Sequence, residues 1–166
     1  PRLFEKVADH IVDHGNLGEF KPQDLSNILW AFAKSKESHP RLFEKVADHI
    51  LELDNLREFW PQGLSNTLWA FGTAGESHPR LFKRVADHII ALDHLRKFNP
   101  QDLANILWPF VKADESHPML FKKVADHILK VDNLREFWPQ GLANIVWAFA
   151  NAGESHPRLF KSVADH

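Results

Sequence analysis

Residues 40–78 read PRLFEKVADHILELDNLREFWPQGLSNTLWAFGTAGESH. Pro40 opens this segment, and proline is favoured in the first turn of a helix because its missing N–H would have no partner there. With about 100° between successive residues, Leu42, Val46 and Ile50 fall on one side of such a helix, and charged residues fall on the other. The first half of the segment is therefore predicted to be an amphipathic helix, called helix A.

A second helix, called helix B, is predicted to begin at Pro61. Leu64, Leu68 and Phe71 have the spacing of one apolar helical stripe. Gly75 follows this stripe, and glycine commonly ends helices because it adopts the left-handed conformation without steric cost. Residues 40–78 are thus predicted to form a helix–turn–helix unit.

The unit recurs with a period of 39 residues along the whole chain of 166 residues, with Pro, Phe and Trp at fixed positions. One helix pair cannot bury its own apolar face, but a stack of pairs can. The predicted fold class is therefore all-α, and the predicted organisation is a single α-solenoid domain. Its repeats are residues 1–39, 40–78, 79–117 and 118–156, followed by a partial fifth repeat at 157–166.

The repeats also alternate. Helix B begins with Trp-Pro-Gln-Gly in repeats 2 and 4, at residues 60–63 and 138–141. It begins with Lys-Pro-Gln-Asp at residues 21–24 of repeat 1, and with Asn-Pro-Gln-Asp at residues 99–102 of repeat 3. A period of 78 residues therefore underlies the period of 39.

The composition is that of a globular domain, with 44% hydrophobic and 25% charged residues, which excludes disorder. The absence of cysteine excludes disulfides, thiolate metal sites and cysteine nucleophiles. No apolar run approaches the roughly 20 residues that span a bilayer, so no membrane contact is expected, and no targeting segment is recognised. The net charge of −2 lacks the positive excess that is usual in nucleic-acid binders.

Helix B carries a second stripe that is polar and aromatic. In repeat 1 it consists of Gln23, Asn27, Trp30 and Lys34, on the side opposite the apolar stripe. Amides match the hydrogen-bonding edges of bases, tryptophan stacks on bases, and lysine binds phosphate. This residue set, present once per repeat, predicts binding of single-stranded RNA. The base-facing candidates are Gln23, Asn27, Lys34, Gln62, Asn66, Thr73, Gln101, Asn105, Lys112, Gln140, Asn144 and Asn151.

Packing within the stack is the alternative role for several of these positions. The tryptophan would pack between repeats, the asparagine would join an amide ladder or bond to the backbone, and the glutamine would help satisfy the open helix end. The position of Lys34 is different, because the other repeats have Thr73, Lys112 and Asn151 there. We predict that packing does not fix this position and that it tunes ligand recognition.

Basic residues recur outside helix B. Arginines in the connector from helix A to helix B are phosphate candidates, with pairing to nearby carboxylates as the alternative. Helix A of the later repeats also has basic pairs, at residues 83–84 and 122–123. The connector arginines are Arg57, Arg96 and Arg135.

No catalytic arrangement is predicted. Adjacent Asp and His recur in helix A, as at Asp48 and His49, but adjacent helical residues project about 100° apart and do not form a dyad. Equivalent histidines of neighbouring repeats would lie about 8–10 Å apart, too far to share a metal. Glu76, Ser77 and His78 are adjacent, but a nucleophilic triad needs a pocket, and capping is the simpler use of the serine. We expect no enzyme activity, no cofactor and no metal.

The sequences PQDLSNILWAFA at residues 22–33 and PQGLANIVWAFA at residues 139–150 resemble the octotricopeptide repeat, as do the segments of the form His-Pro-x-Leu-Phe-x-x-Val-Ala. Related segments occur in FAST-kinase-like proteins, often ahead of a RAP domain. The resemblance implies an α-solenoid that binds RNA in chloroplasts or mitochondria and governs its stability, processing or translation. The unit here is longer by one residue, the Pro-rich Glu-Trp box is absent, and no RAP-like domain lies within the chain, so nuclease activity does not carry over.

We therefore expect a non-catalytic α-solenoid that binds single-stranded RNA, with helix B on its concave face. A protein-binding scaffold is the alternative, and it fits the near-neutral charge. End-to-end self-association is a third interpretation, because helix A of the partial fifth repeat has no helix B as a partner.

Overall fold

The computed structural model describes residues 2–130, 139–154 and 156–165. These residues form helices and contain no strand, and each complete repeat contributes one helix A and one helix B, so the predicted all-α solenoid fold is confirmed. A short 3₁₀ turn at Leu17–Glu19 lies in the first connector. The A helices are α1 (Arg2–His14), α3 (Pro40–Glu52), α5 (Pro79–Ala91), α7 (Pro118–Lys130) and α9 (Pro157–Ala164), and the B helices are α2 (Pro22–Ser35), α4 (Pro61–Ala74), α6 (Pro100–Lys112) and α8 (Pro139–Asn151).

The helices stack in two rows. Each A helix packs on the next A helix and each B helix on the next B helix, and neighbouring B helices approach each other along more of their length. Small residues permit this approach: a Cβ on Gly72 would lie 3.2–3.3 Å from atoms of Pro109 and Trp108 in the next B helix. The B row is therefore the more closely packed of the two rows.

An aromatic pair joins helix A to helix B in each complete repeat. Phe43 of α3 meets Phe71 of α4 edge to face with ring centres 5.0 Å apart, and the other three pairs have the same geometry at 5.0–5.1 Å. Such pairs contribute about 0.5–1.5 kcal/mol beyond the burial of their surface. The predicted apolar face of helix A is also buried, with Leu42, Val46 and Ile50 at most 2% exposed.

Proline and left-handed residues set the ends of the B helices. Pro61 is the first residue of α4, as predicted, and Gly75 ends this helix with φ at 71°. Repeats 1 and 3 make the same turn with Lys36 and Asp114, at φ 60° and 56°. The left-handed turn is therefore kept even where no glycine is present, although a residue with a Cβ adopts it at some cost.

The histidine before each later A helix is a packing residue. His78 lies edge-on to Phe71 with ring centres 6.3 Å apart, and its Nδ1 accepts a hydrogen bond from the Leu81 N–H at 3.2 Å. The equivalent histidines meet the helix B phenylalanine of the preceding repeat at 4.9–5.0 Å. At α5 the capping role that the sequence suggested for serine thus belongs to the histidine.

A cation from each of α3, α5 and α7 binds the C-terminal end of the preceding A helix. Lys45 Nζ donates three hydrogen bonds of 2.8–3.0 Å to backbone carbonyl oxygens at the end of α1. The Ile11 carbonyl also accepts from the Gly15 N–H at 3.0 Å, and the helix dipole favours a cation at this end. Arg84 and Lys123 bind the ends of α3 and α5 in the same way. These cations join neighbouring repeats and are therefore not free to bind phosphate.

The A row exposes large apolar side chains on α1 and at Met119 of α7. Leu3 and Val7 are 71% and 39% exposed, whereas their counterparts Leu42 and Val46 in α3 are fully buried. Helix α9 packs on α7 and buries Leu159. The sequence suggested an unpartnered apolar face at the partial fifth repeat, but in the structure the more exposed face belongs to α1.

Candidate nucleic-acid interface

The predicted polar stripe runs along the B row. Its glutamines are exposed in every complete repeat, whereas its asparagines are exposed in repeats 1 and 4 and half-buried in repeats 2 and 3, which have neighbours on both sides. Within the described residues, none of these side-chain amides has a hydrogen-bond partner, so no amide ladder forms. The eight amides belong to Gln23, Asn27, Gln62, Asn66, Gln101, Asn105, Gln140 and Asn144.

Four of these amides line one groove between α2 and α4. Gln23 and Asn27 come from α2, and Gln62 and Asn66 come from α4. The groove has a volume of about 450 Å³, and Trp60 lies at its edge with 78% of its surface exposed. Grooves and cavities of roughly 300–1,000 Å³ are typical of small-ligand sites. The structure therefore brings four of the six predicted base-facing residues of repeats 1 and 2 into one site, and Lys34 and Thr73 lie outside it.

A buried pair of hydroxyls joins the two helices beneath this groove. Ser26 Oγ lies 2.9 Å from Thr67 Oγ1, and both oxygens lie within 3.0 Å of the Gly63 carbonyl oxygen. Ser26 and Thr67 are 1% and 2% exposed. Because buried hydroxyls need partners, these bonds fix the spacing of α2 and α4 where the groove opens.

The tryptophans of the stripe both pack and remain accessible. Trp30 and Trp69 lie with ring centres 6.1 Å apart and planes at 31°, so they pack between repeats, as the alternative interpretation predicted. Trp30 is nevertheless 40% exposed and Trp147 is 48% exposed. An exposed indole face beside unpaired amides is suited to stacking with a base.

The contacts of the residue at the position of Lys34 differ from repeat to repeat. Lys34 Nζ lies 5.4 Å from the centre of the Trp30 ring, and Lys112 Nζ lies 4.9 Å from the centre of the Trp108 ring. Asn151 donates from Nδ2 to the carbonyl oxygen of Trp147 at 2.8 Å. These three side chains are exposed.

Thr73 departs from the expectation that packing does not fix this position. Its Oγ1 is buried and has no hydrogen-bond partner. The hydroxyl therefore lies against neighbouring atoms and does not point to solvent. The physical reason is the close approach of α4 and α6, which leaves little space beside a short side chain.

The connector arginines lie outside the groove. Arg57 and Arg96 are exposed, and neither forms an ion pair within the described residues. Burial lowers the pKa of His88 in α5, and the positive charges of Arg84 and Arg57 lower it further. Arg135 lies outside the described residues. The arginines are thus available for phosphate at the rim, but the structure does not bring them to the amides.

The B row is nearly neutral. Its helices contain two acidic and two basic residues, Asp24, Asp102, Lys34 and Lys112. Asp102 is 7% exposed, and burial raises its pKa although the N–H of Asn99 donates to it. The exposed surface therefore carries one carboxylate and two ammonium groups, which is neither a basic strip nor an acidic groove. Contacts to a ligand must come mainly from amides and rings.

The two residues of the Asp-His pair have different surroundings in α5 and α7. Asp87 binds Lys83 Nζ at 2.7 Å, while the ring of His88 is half-buried. Asp126 likewise binds Lys122 Nζ, at 3.2 Å. In the part of the chain that the structure describes, no cluster of three His, Asp or Glu side chains is suited to a metal ion, and no helix has the length and apolarity needed to cross a membrane.

One site residue was missed by reasoning from the sequence. Trp60 immediately precedes the polar stripe of α4. In the sequence it stands out only because repeats 1 and 3 have Lys21 and Asn99 at the same position. Its exposure beside the groove depends on how α4 stacks on α2, and this contact joins residues far apart in sequence. The alternation of Trp60 with Lys21 and Asn99 was the one sequence feature that could have identified Trp60 as a site residue.

Comparison with known proteins bears on the role of this surface. Residues 1–166 match the family described as RNA-editing substrate-binding complex 6 protein. The chain belongs to this family. No curated protein matches the chain. Membership in the RNA-editing substrate-binding complex 6 family links this helical repeat to RNA, and this agrees with the coarser prediction of an RNA-related function.

Proposed function

We propose that the chain is a non-catalytic segment that binds single-stranded RNA along its B row. The observation that carries the proposal is the set of eight side-chain amides that have no partner in the described residues and lie beside accessible tryptophans along the B row. Donors and acceptors of this kind match base edges, and helical repeats can present them to unstacked bases along a single strand. The family match supports RNA as the class of ligand.

In this proposal bases contribute more to binding than phosphates do. The amides would bond to base edges, the tryptophans would stack, and Lys34 and Lys112 would reach the nearest phosphates. Arg57 and Arg96 would act at the rim. With about two to four phosphate contacts, the slope of log affinity against log salt would be about −1.4 to −2.8, since each contact contributes roughly −0.7 for single strands.

Titration of the protein into a labelled pool of random single-stranded RNA, followed by fluorescence anisotropy at several salt concentrations, tests this function. We expect binding at low salt with a shallow negative slope. Absence of binding at low salt would contradict the proposal, and so would an affinity that does not change with salt.

Two Asn→Asp variants, one in the groove and one in the connector, test whether the groove is the binding site. Asn66→Asp keeps the shape of a groove residue but replaces its donor with a carboxylate, and we expect at least about a fivefold loss of affinity. Asn55→Asp adds the same charge in the connector, where Asn55 Oδ1 accepts from the Arg57 N–H at 3.0 Å, a bond that aspartate keeps. The connector variant should lower affinity less than the groove variant does, because Asn55 does not line the groove between α2 and α4.

A protein-binding scaffold is the second candidate function, and the near-neutral B row favours it. A peptide would use the same amides and rings. Binding of a protein together with failure to bind any RNA at low salt would favour this candidate over the first.

Two finer proposals accompany the first. Resemblance to the octotricopeptide repeat supports a role in organellar RNA stability, processing or translation, which imaging of the tagged protein against mitochondrial and chloroplast markers would test. End-to-end self-association, the third interpretation of the sequence, is the other finer proposal. Sedimentation equilibrium would test that, and a strictly monomeric chain would exclude it.

A further inference from the structure

The groove between α2 and α4 owes its space to Gly63. This residue is the third of α4 and lines the groove. The third residue of α6 is Asp102, which is only 7% exposed. The third residue of α2 is Asp24, which is exposed and has no preceding B helix in the described residues. Asp102 is therefore buried at the start of α6, where α4 packs beside it. Gly63 has no side chain, so it leaves the equivalent space between α2 and α4 open.

The surroundings of this open groove match a flat, neutral molecule with polar edges. Trp60 presents an exposed indole face, and four carboxamides without protein partners lie beside it. The charged residues of the lining are Lys21 and Glu58, whose charges offset each other. An isolated exposed tryptophan would mean little, since single apolar residues are common on surfaces. Together with unpaired amides in an open groove, it forms the two kinds of contact that a base requires.

We propose that this groove holds one unstacked RNA base, which stacks on Trp60 and is contacted at its edge by the amides of Asn27 and Gln62. The proposal rests on the proposed function and goes beyond it, because it names the place of one base and the residue on which it stacks. It also predicts that the space between α4 and α6, where Asp102 is buried, does not accept a base in the same way. Bases are therefore held in alternate grooves and not in every groove of the described stack.

The test uses the whole chain and the labelled pool of random single-stranded RNA. Trp60→Ala should weaken binding by about 5- to 150-fold, the effect of removing one stacking partner. Trp60→Phe keeps an aromatic ring and should restore most of the affinity. Met119→Ala is the matched control, because Met119 is 60% exposed on the A row and its removal should leave affinity unchanged.

A second variant tests the groove without touching the tryptophan. The second variant is Gly63→Asp, whose Cβ would lie 3.4 Å from Ser26 Oγ and 3.7 Å from Phe59, which are ordinary contacts. It recreates in α4 the residue found in α2 and α6, and we expect an affinity loss similar to that of Trp60→Ala. Gly63→Asn fills the same space without charge and should weaken binding as well, though less.

The outcomes separate the two proposals. If the unmodified chain binds RNA and both Trp60→Ala and Gly63→Asp bind within twofold of it, the base site is wrong and the proposed function stands. If the unmodified chain binds no RNA, the proposed function fails and the base site fails with it. Loss of affinity in both variants, with rescue by Trp60→Phe and no effect of Met119→Ala, supports the base site.

Discussion

The cation that binds the end of a neighbouring helix provides the sharpest test of how the repeats are joined. Lys45 of α3 donates to the carbonyl oxygens of Ile11, Val12 and Gly15 at 2.9, 2.8 and 3.0 Å. Lys45→Met removes the ammonium group and keeps an unbranched apolar side chain of similar length. Because Lys6 has the same place in α1 and is exposed, Lys6→Met is a matched control.

The expected loss follows from these three bonds. One hydrogen bond to a charged group contributes about 1.5–3 kcal/mol, and a cation at a helix C-terminus adds about 0.3–1 kcal/mol. Fixing a lysine side chain costs up to about 2 kcal/mol, and carbonyls at an exposed helix end regain water when the ammonium is removed. We therefore expect Lys45→Met to weaken the α1–α3 contact by about 2 kcal/mol, and Lys6→Met to change stability by less than about 0.5 kcal/mol.

Native-state hydrogen exchange followed by mass spectrometry measures this effect where it occurs. Helix α1 packs on α3, so the backbone amides of α1 should exchange about 30-fold faster in Lys45→Met, which corresponds to about 2 kcal/mol. Exchange in α5 and α7 should be unchanged, and RNA affinity should be unchanged because Lys45 lies on the A row. Equal exchange of α1 in Lys45→Met and the unmodified chain would refute this role, and so would an equal effect of Lys6→Met.

Three further predictions concern stability. Phe71→Ala removes a ring that is 1% exposed and pairs with Phe43, and it should lower the free energy of unfolding in urea by about 3–5 kcal/mol; a loss below about 1 kcal/mol would contradict the packing. Ser26→Ala removes one hydroxyl of the α2–α4 pair and should cost about 1 kcal/mol in the same assay, whereas no loss would mean that this pair does not contribute. Burial lowers the pKa of His88 and His127, so the unfolded chain binds more protons below about pH 6.5 and stability should fall as pH falls through that region. His88→Gln should reduce that fall in urea titrations at pH 8 and pH 5.5, and an undiminished fall would exclude His88 as its source.

The fold could be predicted from the sequence because every repeat has the same spacing of apolar residues and of residues that begin and end helices. Leu42, Val46 and Ile50 define one buried face, and their pattern recurs at fixed spacing, so stacking was the only way to cover it. Pro61 and Gly75 then marked the ends of helix B. Local signals and a period were sufficient for this level of description.

Contacts between repeats could not be predicted in the same way. Lys45 was visible only as a positive charge, because its partner carbonyls lie about one repeat earlier in the chain. The alternation of Gly63 and Asp102 was visible too, but its effect on the space between B helices depends on how closely those helices pack. Thr73 was expected to face a ligand, and the close contact of α4 with α6 buries its hydroxyl instead.

The polar stripe shows what periodicity can and cannot establish about a site. Its helical spacing correctly placed Gln62 and Asn66 together, and the structure added the amides of Gln23 and Asn27 across the groove. The connector residue Arg57 recurs with the same period but does not line the groove. Recurrence identifies which residues are equivalent, while packing decides which residues share a surface.

The central claim is that RNA lies along the B row, and photo-crosslinking tests it most directly. Single-stranded RNA containing 4-thiouridine is bound to the whole chain and irradiated, and the crosslinked peptides are identified by mass spectrometry. Adducts should concentrate in α2 and α4, at residues such as Trp30, Lys34 and Trp60. Adducts concentrated in α3, α5 and α7, with none in α2 or α4, would contradict the claim.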